Sequence, residues 1–121
     1  MKKLRVMIVE DDIIIASLLG ELIESLGHDV CAIESSESGA VASARRLKPE
    51  LMIVDAHLRD GSGIGAVESI TARDHVPHIF VTGDAKSVRR LKPGATVIQK
   101  PYFEHDLVDA IESALATNGA R

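Results

Sequence analysis

Four short apolar segments, each ending at a polar side chain, constrain the fold of this chain more than any other feature. If these segments are parallel strands of one sheet, their carboxyl ends share an edge, which is where open α/β sheets place ligand sites. The groups that follow the segments are carboxylates, a hydroxyl and an amine, and phosphate and metal chemistry uses all three. The segments 4–9, 51–54, 78–81 and 95–99 precede Glu10, Asp55, Thr82 and Lys100, in that order.

Strand-like and helix-like segments alternate five times along the chain. Segment 12–26 repeats apolar residues at helical spacing, and Gly27 after it supplies a left-handed cap. Such alternation implies right-handed crossovers and therefore an α/β fold with a parallel sheet. The predicted strands are 4–9, 29–33, 51–54, 78–82 and 96–99. The predicted helices are 12–26, 37–47, 64–72, 85–91 and 103–117.

Helical spacing also predicts which side chains of the first and last helices pack in the core. In the first helix they are Ile15, Leu18, Leu19, Leu22, Ile23 and Leu26. In the last helix they are Phe103, Leu107, Val108, Ile111, Ala114 and Leu115. We expect His28 and His105 at the surface.

The composition restricts the class of protein. A length of 121 residues fits one domain, and we expect a single domain over 1–121. Hydrophobic residues make up 45% of the chain and aromatic residues 2%, so aliphatic side chains must form the core, as in sheets buried on both faces. The net charge of -4, without a basic tract, argues against direct nucleic-acid binding. No apolar stretch suits a membrane span, and we expect a cytoplasmic protein.

Consecutive acidic residues after the first strand indicate cation binding. Glu10, Asp11 and Asp12 are adjacent, and a turn after the strand can bring two of them beside Asp55. Crowded carboxylates repel one another, so they take up protons or recruit a cation such as Mg²⁺, which prefers oxygen ligands. Asp12 is also placed to cap the first helix, and we favour that role for it.

Asp55 is a candidate nucleophile toward phosphorus because its carboxylate ends an apolar strand. A cation that neutralises the incoming phosphoryl oxygens would allow the attack. Lys100 can pair with Asp55 or with a phosphoryl oxygen, and Thr82 can donate a hydrogen bond to the same oxygen. A flavodoxin-type cofactor binder and an aspartate phosphohydrolase are weaker alternatives, because the acidic loop after the first strand suits neither.

On these motifs the chain resembles the receiver domain of two-component response regulators over nearly its full length. The resemblance implies a flavodoxin-like (βα)5 doubly wound sandwich whose five-stranded parallel sheet has the order 2-1-3-4-5. The matching segments are 9–12, Asp55 with Leu58-x-Asp60-Gly61, 81–83 and 100–102.

The resemblance also implies a role for each site residue. Asp55 would be the phosphoacceptor, with Thr82 and Lys100 contacting the phosphoryl group. Mg²⁺ would be bound directly by Asp11 and Asp55, by the main-chain carbonyl of His57, and through water by Glu10.

Partners follow from the same resemblance. A sensor histidine kinase or a histidine phosphotransfer protein would donate the phosphoryl group, and the region 85–117 would bind a downstream protein. The chain would be a phosphoacceptor that assists its own phosphorylation and dephosphorylation, not an enzyme. A receiver-like interaction module that works without phosphorylation is the alternative, and a weak homodimer stays open.

Two features depart from the common receiver pattern. Leu58-Arg59 replaces the frequent Met-Pro, and Val97 occupies the position where many receivers carry a Tyr or Phe switch. The segment 80–83 is similar to a Phe-x-Thr-Gly signature of a single-domain subgroup that also lacks this aromatic residue. His57 and Asp84 lie two residues beyond Asp55 and Thr82, where the family tunes the lifetime of the phosphoryl group.

Overall fold

The computed structural model describes residues 2–119, which form a parallel sheet covered by helices on both faces. The strands are β1 (Arg5–Val9), β2 (Asp29–Glu34), β3 (Leu51–Asp55), β4 (His78–Thr82) and β5 (Thr96–Gln99). The helices are α1 (Ile13–Ser25), α2 (Glu37–Leu47), α3 (Gly63–Thr71), α4 (Ala85–Leu91) and α5 (Glu104–Gly119). The strand order is β2-β1-β3-β4-β5, which confirms the predicted fold and order.

Alternating side chains along each strand build two separate cores. In β1, Val6 and Ile8 face α1 and α5, whereas Met7 and Val9 face α2, α3 and α4. Because both faces are covered, a central strand must be apolar at almost every position, which explains the continuous apolar segments. Within residues 2–119, no helix combines the length and apolar character that a membrane span requires.

Polar caps set where the chain turns from the carboxyl edge of the sheet into a helix. Asp12 Oδ1 accepts the main-chain N–H groups of Ile14 at 3.0 Å and Ile15 at 3.1 Å, which confirms its predicted capping role. Three other helices also have a side chain that accepts a main-chain N–H of the first turn. These caps are Ser36 on α2, Ser62 on α3 and Asp84 on α4.

Three apolar side chains predicted in the core are exposed, and these predictions were wrong. In α1, Ile15 is 41% exposed and Leu18 is 60% exposed. The helix contacts the sheet through a narrow stripe of residues 16, 19, 20 and 23, so the apolar positions beside that stripe face solvent. Phe103 is 73% exposed because it precedes α5, where the helical spacing does not apply.

His28 is buried, with 4% exposure, although it was expected at the surface. Its Nδ1 accepts the main-chain N–H of Leu4 at 3.0 Å. The imidazole therefore joins the segment before β1 to the start of β2. The apolar pattern of the sequence carries no signal for this contact, because the partner lies 24 residues away.

We expect His28→Leu to lower the free energy of unfolding by about 1–3 kcal/mol, because the Leu4 N–H would be buried without an acceptor. Urea unfolding measures the change. His28→Asn should recover part of the loss, since its amide oxygen can replace Nδ1 as the acceptor. His75→Leu, at an exposed loop position, should have little effect. A stable His28→Leu protein would contradict the assigned role of the hydrogen bond.

Candidate functional site

The carboxyl ends of β1 and β3 bring three acidic side chains together. The two strands are neighbours, with Val9 opposite Val54, so Glu10 and Asp55 lie at the same edge of the sheet. One carboxylate oxygen from each of Glu10, Asp11 and Asp55 lies within 4.8 Å of the others. The structure therefore gathers the acids that the sequence analysis singled out, whereas Asp12 caps α1.

The ammonium of Lys100 reaches this cluster from the far side of β4. Its Nζ lies 3.0 Å from Asp55 Oδ2 and 3.2 Å from Glu10 Oε1. The main-chain N–H of Lys100 donates to the carbonyl oxygen of Thr82 at 2.7 Å, and a cis peptide bond joins Lys100 to Pro101. Lys100 is thus the cation that two of the clustered carboxylates share.

Burial and the neighbouring charges shift the pKa values of this group. Burial raises the pKa of Glu10 and the nearby Asp55 carboxylate adds to the rise, while the Asp12 N–H and Lys100 partly offset it. Burial by itself lowers the pKa of Lys100, but hydrogen bonding and charge from Asp55 and Glu10 outweigh it and the pKa is raised. Lys100 therefore stays an ammonium, while the raised pKa of Glu10 means that it holds a proton to a higher pH than an isolated glutamate does.

Thr82 lies at the end of β4 with its side chain fully buried. Its hydroxyl accepts the main-chain N–H of Asp84 at 3.0 Å. Asp84 in turn accepts the N–H and the hydroxyl of Ser87, so it acts here as the cap of α4. Thr82 therefore lies at the same carboxyl edge of the sheet as Asp55, and in this structure its hydroxyl accepts a hydrogen bond from the β4–α4 loop.

The loop after β3 is held against Asp55 by its own main chain. The N–H of His57 donates to Asp55 Oδ1 at 2.9 Å, while the His57 side chain is exposed. Gly63 begins α3 so close to the strand that an added Cβ would lie 1.8 Å from the Asp55 carbonyl oxygen. Only glycine allows this approach, so Gly63 fixes the position of the loop that carries His57.

Two contacts at the site were not predicted. The main-chain N–H of Arg59 donates to Asp11 Oδ2 at 2.7 Å, and this hydrogen bond is the main reason why the pKa of Asp11 is lowered. The side chain of Gln99 accepts the N–H of Ala85 at 2.9 Å and donates to the carbonyl of Gly83 at 2.7 Å. The sequence does hint at the first contact, because position 59 is not proline and therefore has a main-chain N–H that can donate.

Gln99 and Val97 show how β5 contacts the loop after Thr82. Gln99 holds that loop through the two hydrogen bonds of its amide, and Thr82 pairs with Gln99 in the sheet register. Val97 is half-buried against the core that includes Val88 of α4. Polar contacts from Gln99 therefore connect β5 to the β4–α4 loop, next to the position where many receivers have an aromatic switch.

The comparison with protein families agrees with this geometry. The family model of the response regulator receiver domain matches residues 6–112. The chain belongs to this family. The phyllosphere-induced regulator PhyR of Methylorubrum extorquens is 35% identical to this receiver over 115 residues, which cover 91% of this chain and 43% of that protein. The receiver thus spans less than half the length of that relative.

Solved structures support the assignment of the fold. The solution structure of the Erythrobacter litoralis PhyR receiver domain has a TM-score of 0.83 and 33% identity, with 96% of this chain and 92% of that chain covered. The anti-anti-sigma factor PhyR of Bartonella quintana has a TM-score of 0.85 and 32% identity, with 99% of this chain and 50% of that chain covered.

The donor atoms at the receiver's acidic edge fit Mg²⁺. Glu10, Asp11 and Asp55 offer carboxylate oxygens, which are the hard ligands that Mg²⁺ prefers. None of the three is replaced by a nitrogen or sulfur donor that would favour a softer metal. The single positive charge of Lys100 does not balance the negative charges of this cluster. The cluster could therefore hold a magnesium ion that neutralises the remaining charge.

We expect Lys100→Met to lower the free energy of unfolding by about 1–3 kcal/mol near neutral pH, because Glu10 and Asp55 would lose their shared cation. When folding raises the pKa of an acid, that acid adds to the free energy of unfolding at low pH. This contribution is lost as the pH rises through the folded-state pKa. Losing Lys100 raises the pKa of Glu10 further, so the deficit should shrink as the pH falls from about 8 toward about 5.

Urea unfolding at several pH values measures this deficit, with Lys92→Met as the matched control. Lys92 pairs with Glu68 at the surface, at 3.3 Å, and its loss should matter little at any of these pH values. A Lys100→Met deficit that does not depend on pH would contradict the electrostatic explanation.

Proposed function

We propose that Asp55 accepts a phosphoryl group from a phosphohistidine on a sensor histidine kinase or a histidine phosphotransfer protein. The observation that carries the proposal is the Lys100 ammonium, which lies 3.0 Å from Asp55 Oδ2 and 3.2 Å from Glu10 Oε1. A half-buried ammonium held beside a strand-end carboxylate is placed to neutralise a transferred phosphoryl group. Membership in the receiver family supports the same reaction.

The transfer exchanges one bond to phosphorus for another. An oxygen of the Asp55 carboxylate attacks phosphorus, a P–O bond forms, and the P–N bond to the donor histidine breaks. The electron pair of the P–N bond stays on the imidazole, which leaves as a neutral ring when its other nitrogen carries a proton. Asp55 becomes an acyl phosphate, and Lys100 stabilises the charge on its oxygens.

Glu10, Asp11, Asp55 and the main-chain carbonyl of His57 would hold Mg²⁺, with Glu10 acting through water. When bound, the ion would supply positive charge to the phosphoryl oxygens. The N–H of His57 donates to Asp55 Oδ1 at 2.9 Å and so orients the carboxylate. The exposed His57 and the capping Asp84 lie at the rim, where they would tune how water reaches the phosphoryl group.

The doubly charged phosphoryl group would act on Thr82. Its hydroxyl would leave the Asp84 N–H and donate to a phosphoryl oxygen, and this would move the β4–α4 loop toward Asp55. Converting a mostly inactive population into a mostly active one takes about 5 kcal/mol of differential stabilisation. The surface formed by 85–117 would then bind a downstream protein. Because Gln99 is hydrogen-bonded to this loop, movement of the loop would also shift β5.

Residues 1–121 act in this proposal as one receiver domain, whose output is the binding of a downstream protein. The receiver binds neither nucleic acid nor membrane directly. It is a phosphoacceptor that assists its own phosphorylation and dephosphorylation, not an enzyme. The transfer takes place in the cytoplasm, where histidine kinases use ATP. A weak homodimer is compatible with this function but is not required for it.

Asp55→Asn should abolish labelling by acetyl phosphate or phosphoramidate, because the amide is not a nucleophile toward phosphorus. The wild type should be labelled only with Mg²⁺ present. Intact-protein mass spectrometry measures the added phosphoryl group, and Asp60→Asn, in the same loop, should be labelled like the wild type. Full labelling of Asp55→Asn would contradict the proposal. A wild type that neither small donor labels would favour the phosphorylation-independent interaction module.

A continuous apolar surface beside the site suits a protein as the phosphoryl donor. Ile13, Ile14 and Leu18 of α1 are exposed, and a groove joins Ile15 and Leu18 to Lys100, Pro101 and Tyr102. Contiguous exposed apolar surface marks a protein contact more often than it marks ordinary surface. A donor that brings its phosphohistidine to Asp55 must cover the rim of the site, and α1 forms one side of that rim.

Leu18→Glu should slow phosphotransfer from the cognate histidine kinase by about ten-fold, which corresponds to about 1.4 kcal/mol at a central apolar contact. Profiling purified histidine kinases of the source genome identifies that donor. Labelling by acetyl phosphate should be unchanged, because a small donor does not need the α1 surface. Leu91→Glu, at an exposed apolar position of α4, is the control. Equal slowing by both substitutions would overturn the docking assignment.

A further inference from the structure

Arg59 binds a carboxylate that the proposed magnesium site would use. Its main-chain N–H lies 2.7 Å from Asp11 Oδ2, and its Nε lies 3.4 Å from the same oxygen. A terminal guanidinium nitrogen lies 3.5 Å from the carbonyl oxygen of Asp11. Asp11 is therefore already paired with a cation of this chain.

We propose that Arg59 is an internal counter-ion of Asp11 that competes with Mg²⁺ and sets the affinity of the receiver for the metal. The proposal rests on the proposed function insofar as Glu10, Asp11 and Asp55 form the magnesium site. The new element is Arg59, which is not one of these three ligands but would determine how strongly they bind the metal.

The two contacts have different physical origins. The guanidinium is mostly exposed, with 83% of the side chain accessible, so solvent screens its pairing with Asp11. The main-chain N–H exists because position 59 is not proline, and many receivers carry proline there. A proline would offer neither the N–H nor the charge. The N–H contact therefore needs a residue other than proline at position 59, and the guanidinium contact needs arginine there.

Metal binding would weaken both contacts. A Mg²⁺ ion held by Asp11 would draw electron density from the carboxylate, which would make Oδ2 a poorer acceptor for the Arg59 N–H. The same ion would repel the guanidinium, since two cations on one carboxylate lie only a few ångströms apart. Arg59 stabilises the metal-free state through these contacts, and the apparent affinity for Mg²⁺ falls accordingly.

The loop that carries Arg59 is also joined to α2. The N–H of Ser62 donates to Glu37 Oε1 at 2.8 Å, and the N–H of Glu37 donates to the carbonyl of Asp60 at 3.1 Å. The loop therefore links Asp11 at one end to the first residue of α2 at the other. Releasing Arg59 from Asp11 would therefore change the surroundings of Glu37, which is distant from Asp55 and Arg59 in the sequence.

Titration with Mg²⁺ followed by ¹H–¹⁵N correlation spectra tests the proposal without any phosphorylation. Arg59→Ala removes the guanidinium and keeps the N–H, so it should tighten Mg²⁺ binding by about two- to five-fold, the range for an exposed ion pair. Arg59→Pro removes both contacts and should tighten binding by about ten-fold, since hydrogen bonds to charged groups are stronger. Arg59→Lys should stay near the wild type.

Arg73→Ala is the matched control. Arg73 follows the carboxyl end of α3, at the opposite edge of the sheet, and its loss changes the net charge by the same amount. It should leave the Mg²⁺ affinity unchanged. In the wild type, the Nε–H resonance of Arg59 and the amide of Glu37 should shift during the titration, which a purely structural arginine would not show.

Affinities of Arg59→Ala and Arg59→Pro that equal the wild type would overturn the proposal, and so would an equal gain in Arg73→Ala. If Arg59→Pro unfolds, Arg59→Ala and the Arg59 Nε–H resonance decide the result. Should no protein in the series show saturable Mg²⁺ binding, the magnesium assignment itself fails. If the wild type binds Mg²⁺ and the Arg59 variants bind it with the same affinity, the magnesium assignment stands and only the role of Arg59 is overturned.

Discussion

Three carboxylates at one edge of a sheet repel one another, and the rest of the site is arranged around that repulsion. Lys100, which follows β5, pairs with Glu10 and Asp55. Arg59 pairs with Asp11 from the other side, and the N–H of Asp12 donates to Glu10. The cluster is therefore stabilised by cations and N–H groups from separate loops, yet its oxygens remain suited to a divalent ion.

The strand order explains why these loops meet. β3 lies between β1 and β4, so Asp55 is next to the acids on one side and to Thr82 on the other. β5 follows β4, which puts Lys100 one strand further away, and its long side chain spans that distance. The same order places α1 beside the loop at 100–102, so that an apolar surface borders the site. The acidic site and this apolar surface thus share one edge of the sheet.

The sequence predicted most of the fold because strands buried on both faces must be apolar and because the helix caps are polar. It predicted that Glu10, Asp55, Thr82 and Lys100 lie at one edge of the sheet, because the carboxyl ends of parallel strands share that edge. It failed for Ile15 and Leu18, because α1 carries more apolar residues than one contact stripe uses. It failed for His28, whose hydrogen-bond partner belongs to a different strand and leaves no local pattern.

The sequence by itself determined the alternation of strands and helices, the acids after β1, and the positions of Asp55, Thr82 and Lys100. Only the tertiary structure decided which charges pair, since a side chain's partner depends on strand order and loop path. It assigned Arg59 to Asp11 and Gln99 to the loop after Thr82, through contacts that span 48 and 14 residues along the chain. Local periodicity cannot encode such contacts, because they form only when separate strand ends meet.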